Sequence, residues 1–155
     1  MIFYCNEQLG GIAQLDFHLL TETSNWPKVL TDANAGDISI TPEEIEVDAV
    51  LDEQSIKALA NQSTASSGNL WKVKASFTFL SRSESLEQIM DQYENQPGIL
   101  IVCLNSGFKK LYGSNLEPLY LNFDVTEGNA VDDSNSGTNV SVEGQLRQRP
   151  VYYSV

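Results

Sequence analysis

Histidines, cysteines and converging carboxylates are the side chains that most often carry catalysis, and this 155-residue chain is poor in the first two. His18 is its single histidine. A general base of this type needs a nucleophile or an orienting carboxylate within hydrogen-bond reach. His18 stands between Phe17 and Leu19, on the polar side of an alternating segment, and reads as a surface or edge residue. Cys5 and Cys103 are the two cysteines. They make no disulfide framework, and no Cys/His cluster has zinc-ligand spacing. Cys103, inside Ile99-Leu-Ile-Val-Cys-Leu104, reads as a small buried hydrophobe. The chain holds no Gly-x-Ser-x-Gly elbow, no His-Glu-x-x-His helix and no Gly-x-x-x-x-Gly-Lys phosphate loop.

Other residue types offer binding rather than catalysis. Asp32-Ala-Asn-Ala-Gly-Asp37 has the oxygen content of a calcium loop, without the full acidic pattern or the distal bidentate Glu. Trp26 and Trp71 are of the type that stacks on sugar rings, and equally of the type that packs half-buried. With 21 acids, carboxylate pairs arise everywhere, so a glycosidase dyad cannot be argued from them. The expectation is a non-enzymatic protein with no catalytic residue, no cofactor and no metal.

Charge narrows the partners. Nine bases against 21 acids leave a net charge of −12, which opposes a main task of gripping a phosphate backbone. The first 70 residues hold eleven acids against two lysines, and residues 71–155 hold ten acids against seven bases. Six acids fall between Glu43 and Glu53. On a strand, Glu44, Glu46 and Asp48 would project from one face about 6.8 Å apart. That acidic face would repel a polyanion, as suits the wall of a DNA-conducting tube. Arg147 and Arg149, beside Lys109 and Lys110, would meet an acidic patch on a second copy, and Asp132 and Asp133 belong to a loop expected to make assembly contacts. There is no basic, apolar leader and no run near the roughly 20 apolar residues of a membrane span. The expected setting is a reducing cytosol, with no membrane partner and no specific nucleic-acid binding.

The elements that must position these residues are mostly strands. Alternation marks 12–20, 44–51, 71–79 and 119–125, with a short candidate at 37–41. Ile99 to Leu104 is a continuous apolar run, which reads as a strand buried on both faces. Asn105-Ser-Gly107 turns it into Phe108 to Tyr112. Val140, Val142 and Leu146 mark another strand, and 150–155 a last edge strand. One helix is expected over about 84–95. Ser83 caps it, Glu84 and Glu87 sit at its positive end, Leu86, Ile89, Met90 and Tyr93 form its apolar stripe, and Pro97-Gly98 ends it. A short helix near 53–60 is a second expectation, from Ile56, Ala58, Leu59 and Ala60. Long loops are expected at about 21–36, 61–69 and 126–138 in a single domain spanning 1–155. The fold class is mostly β: an antiparallel sandwich or partly rolled barrel with one helix.

Leu111-Tyr-Gly113 followed by Glu117-Pro-Leu119, and the ending Val142-Glu-Gly-Gln-Leu-Arg-Gln-Arg-Pro150, carry a resemblance. Residues 71–155 are similar to the sandwich-plus-helix protomers of tailed-phage tail tubes and tail rings, and to small virion proteins of phages and prophages from Bacteroidetes. The resemblance implies a tail-tube-like fold and a structural subunit: tail tube, tail terminator or connector ring. It further implies ring assembly with copies of itself, contacts with other virion proteins, and transfer from the host cytoplasm to the virion. It carries no individual functional residue. The competing expectation is a carbohydrate- or ligand-binding β-sandwich module, with Trp26, Trp71 and the tyrosines as platforms.

Overall fold

Two antiparallel sheets, a helix and a folded-over segment account for the alternating pattern. The computed structural model describes residues 2–4, 12–41, 51–66, 68–80, 84–126 and 137–154. In chain order the strands are β1 (Ile2–Tyr4), β2 (Ile12–Leu19), β3 (Thr23–Ser24), β4 (Ser39–Ile40), β5 (Leu51–Ala65) and β6 (Gly68–Phe79). After the helix α1 (Glu84–Tyr93) come β7 (Gly98–Leu104), β8 (Lys109–Tyr112), β9 (Tyr120–Thr126), β10 (Gly137–Leu146) and β11 (Val151–Tyr152). The first sheet runs β1-β2-β7-β8-β11, the second β5-β6-β10-β9, and β3 with β4 forms a small ribbon. Every pairing within these sheets is antiparallel. The expectation of a mostly β, sandwich-like fold with one helix holds, and the sheets do not close into a barrel.

The main core lies between the sheets. The first contributes Leu15, Phe17, Leu100, Val102 and Tyr112. The second contributes Val73, Ala75, Phe77, Phe79, Leu121, Val140, Val142 and Leu146. Leu86, Ile89 and Tyr93 of α1 complete it, so the helix buries its expected stripe, with Met90 half-buried beside it. Phe77 and Phe79 meet edge-to-face at 5.7 Å, and Phe17 meets Tyr93 the same way at 6.2 Å. Each such aromatic contributes about 1.5–3 kcal/mol by leaving water.

β7 is buried on both faces, as its unbroken apolar run requires. Leu100 and Val102 point into the main core. Ile99 and Ile101 point outward, into a second cluster with Leu111, Val151, Ala35 and Ile38. The cover is the segment between β2 and β4, which reads as a loop at 21–36. It folds into 3-10 turns at Leu20–Glu22 and Ala35–Asp37 plus the small ribbon, and it lays Leu20, Trp26, Leu30 and Ile40 over the sheet.

The two sheets are stitched at one corner. Gly98 and Leu119 exchange backbone hydrogen bonds of 2.9 and 2.8 Å. A Cβ on Gly98 would run into the Phe17 ring and lie 2.5 Å from the His18 carbonyl oxygen, so only glycine permits this approach. Gly144 of β10 is equally confined, because a Cβ there would run into Leu119 and sit 3.2 Å from the Pro118 carbonyl oxygen.

Four expectations need correction. Residues 53–60 are strand, not helix. Ile56, Ala58 and Ala60 pack inward while Lys57 and Leu59 are exposed, which is period two. The pattern was hidden by a bulge: Asp52 pairs with Thr78 but Lys57 pairs with Ser76, and Ser55 Oγ accepts the Thr78 N–H at 2.8 Å within the bulge. The loop expected at 61–69 is instead the end of a hairpin, paired through to Ala65 opposite Gly68. The helix expected to about residue 95 stops at Tyr93, because Asn95 turns left-handed (φ 58°) and Gln96 N–H returns to the Tyr93 carbonyl at 3.2 Å. His18 is buried, only 4% exposed, not a surface residue. It stands opposite Ile99 on the outer face of the first sheet, which the β2–β4 segment shields from water. β1 had no signal in the alternation and is an addition. The expected strand at 44–51 lies outside the described residues except for Leu51, as do the Ser83 cap and most of the 126–138 loop.

Candidate functional site

The second sheet presents the largest unpartnered backbone surface among the described residues. β5 is fifteen residues long and pairs with β6 on one side only; no described strand takes its outer edge. Its hairpin with β6 also outruns the sheet. β10 reaches β6 only as far as Leu146 opposite Trp71, whereas β5 and β6 continue through Ser63–Leu70, Thr64–Asn69 and Ala65–Gly68. From Ile56 to Ala65 the strand carries one charge, Lys57, and no proline, and Leu59 is 46% exposed. Long edges are normally blunted by shortness, charge or proline. Beyond the bulge and the acids Asp52 and Glu53 at its start, this edge has almost none of those guards, so its outward N–H and C=O groups, which no described strand takes, can add a strand.

The outer face of the second sheet is polar. Lys57 projects from β5, Lys72 and Lys74 from β6, Glu143 and Gln145 from β10, and Tyr120, Asn122 and Asp124 from β9, all exposed. Lys74 Nζ lies 3.7 Å from Glu143 Oε1, and Thr78 donates to Asn139 across the strands at 2.7 Å. None of these residues stood out in the sequence. Their signal was present as the polar half of each alternation, which also marks any solvated sheet.

Arg147 and Arg149 line a cleft of about 280 Å³ between Pro27–Leu30, Gly113–Glu117 and Leu146–Val151. Its floor is apolar, from Leu111, Leu146 and Val151. The cleft binds its own chain. Arg149 Nη2 lies 2.6 Å from Asp32 Oδ2 and Nη1 3.3 Å from Oδ1. Asp32 Oδ1 also accepts the Tyr152 N–H at 2.8 Å. Arg149 and the Tyr152 amide together hold the Asp32 carboxyl below the usual carboxylate range. Gln148 Nε2 donates to the Leu30 carbonyl at 3.1 Å, and the Arg147 N–H donates to Glu117 Oε2 at 2.6 Å. Arg149 is therefore a clasp on the covering segment. The Arg147 side chain is exposed at the rim.

The remaining candidates scatter. Glu44, Glu46, Asp48, Asp132 and Asp133 lie outside the described residues. Lys110 packs its ammonium 5.1 Å from the centre of the Tyr152 ring. Trp26 and Trp71 belong to different core clusters, so the structure does not bring them together as one platform. Trp26 Nε1 donates to Thr23 Oγ1 at 2.9 Å. In the 32–37 loop, Asp32 is held by Arg149, and Asn34 Oδ1 accepts the Thr31 N–H at 2.7 Å, so these oxygens face the chain's own donors rather than a common centre. Cys103 is half-buried near the end of β7.

Among the described residues, no group of three or more His, Cys, Asp or Glu side chains that could hold a metal ion forms around His18. Glu22 turns back over the end of β2, its Oε2 accepting the Leu19 N–H at 3.2 Å and lying 3.5 Å from His18 Nδ1. Burial pushes the imidazole down to about 4, so it is neutral at neutral pH. Burial also raises the Asp16 carboxyl, one step along the same covered face. Among the described residues no helix is long and apolar enough to cross a membrane. Comparison with family models, with curated proteins and with solved structures found no match to this chain.

Proposed function

We propose that this chain is a structural subunit that works by self-association, its copies joining along the outer edge of β5 and the hairpin beyond it into a ring or tube. The observation that carries this reading is the fifteen-residue edge strand, unpaired on its outer side by any described strand. A partner strand on that edge would satisfy its outward N–H and C=O groups and cover Leu59. The same reading explains the hairpin, which leaves its sheet beyond the reach of β10 and offers both strands to a neighbour. The likeness of residues 71–155 to tail-tube and tail-ring protomers supplies the class: a virion subunit of a tailed phage or prophage, meeting itself and other virion proteins.

Light scattering coupled to size exclusion tests it. Assembly predicts a mass several times that of one chain, with rings or tubes in negative stain. A strict monomer up to millimolar concentration overturns it.

A further inference from the structure

We infer that the second sheet is charge-polar along its strand order and that this polarity selects the partner: the lysine-bearing β5–β6 side of one copy docks against the acidic groove between α1 and β9 of the next. This rests on the self-association reading and names its two surfaces.

The positive patch is Lys57, Lys72 and Lys74, separated by the β5 bulge from Asp52 and Glu53 at the start of that strand. All three are exposed on the outer face, and they are half of the chain's six lysines. Lys72 and Lys74 are two residues apart on one strand face, about 7 Å. Lys57 stands opposite Ser76, one step further along that face. The negative end is a groove of about 520 Å³ where α1 runs beside β9. Glu87 and Asp91 border it from the helix, Glu94 from the residue just past its end and Asp124 from the strand, and all four are exposed. Glu87 and Asp91 stand at i and i+4, on a stripe beside the apolar one that faces the core, and Glu94 follows in line with them. Met90, Leu121 and Phe123 give the groove an apolar lining.

The strand order β5-β6-β10-β9 puts these surfaces at opposite ends of one sheet. The Lys74–Glu143 contact marks where the sign changes between them. A chain of net charge −12 repels its own copies over most approaches, so a stable contact must join unlike patches. A contact between two different patches is heterologous, and it repeats head to tail until a ring closes or a helical tube extends. The positive patch also flanks the outer β5 edge, which no described strand takes, so strand addition there brings the lysines alongside the neighbour's carboxylates in the same step.

Two charge-reversed proteins test the pairing: K57E/K72E/K74E and D91K/E94K/D124K. All six positions are exposed, and circular dichroism melts check that each variant folds. Wild-type chain should assemble by light scattering and lose mass as salt rises from 50 to 500 mM, because the contact is screened. Each variant alone should run as a monomer, its association at least tenfold weaker. Equimolar mixing should restore the wild-type mass, since every contact again joins unlike charges. Variants that assemble like wild type, or a mixture that fails to recover, overturn the pairing while leaving self-association standing. A wild-type chain that stays monomeric, including one whose lysine face instead titrates polyglutamate or single-stranded DNA, overturns both.

Discussion

Arg149 grips Asp32 across 117 positions of sequence, one guanidinium nitrogen on each carboxylate oxygen, at 2.6 and 3.3 Å. The pair fastens the segment that covers the first sheet to the strand that closes that sheet's edge. Through Asp32 Oδ1 it also accepts the Tyr152 N–H of β11. A surface ion pair is normally worth little, because water screens it. This one is bidentate and serves a backbone donor as well, so its loss should be felt in two elements.

Asp32→Asn should therefore loosen the cover and β11 together. The expected result is a melting temperature lower by about 2–4 °C, with faster amide exchange at Val151 and Tyr152. Because the pair is solvent-accessible, the loss should shrink in high salt. Unchanged exchange at β11 would contradict the clasp.

Gly98→Ala should destabilise the corner where the sheets meet. The added methyl would collide with the Phe17 ring and the His18 carbonyl oxygen, neither of which has room to withdraw inside a packed core. Overpacking of this kind costs about 1–3 kcal/mol. Urea unfolding with an unchanged m-value and a lower midpoint would show it.

Acid should weaken the fold through His18. The unfolded imidazole takes up a proton near 6.5 and the buried one not until about 4. Between those values the unfolded state binds more protons, so stability falls as pH drops from 6.5 to 4 and then levels. The full effect is on the order of 3 kcal/mol. Asp16 works in the opposite sense. Its folded carboxyl protonates before the unfolded one, so it adds stability as pH falls through its raised value towards the ordinary carboxylate range. His18→Gln should flatten stability against pH between 6.5 and 4, measured by urea unfolding at each pH. An unaltered slope would show that His18 is not the group responsible.

Much of the fold was legible because local pattern and burial agree. In β6, Val73, Ala75, Phe77 and Phe79 alternate with Lys72, Lys74, Ser76 and Thr78, and the first four are buried. In α1, Leu86, Ile89 and Tyr93 mark a 3.6-residue period that only a helix can bury on one side. β5 escaped because its bulge breaks the period between Asp52 and Lys57, and because Leu59 falls on the exposed side. Asn95 ends the helix two residues before Pro97, a stop that Asn can supply in the left-handed region. The candidate surfaces were less legible. Lys57, Lys72 and Lys74 are far apart or unremarkable along the chain, and nothing local says that β5 and β6 will pair in the register that puts them on one face.

The chain's order of residue types determined which segments became strands, which became the helix and which faces turned inward, since alternation and helical period act over a few neighbours. It also determined the net charge of −12 that any self-contact must overcome. Only the tertiary structure decided that the polar side of β2 would be covered, which buries His18 beside Ile99, and that Arg149 would find Asp32 across the chain. It alone put the lysines at one end of a sheet and the helix carboxylates at the other. The physical reason is range: periodicity is a property of adjacent residues, whereas cover, clasp and charge polarity depend on which distant segments lie side by side.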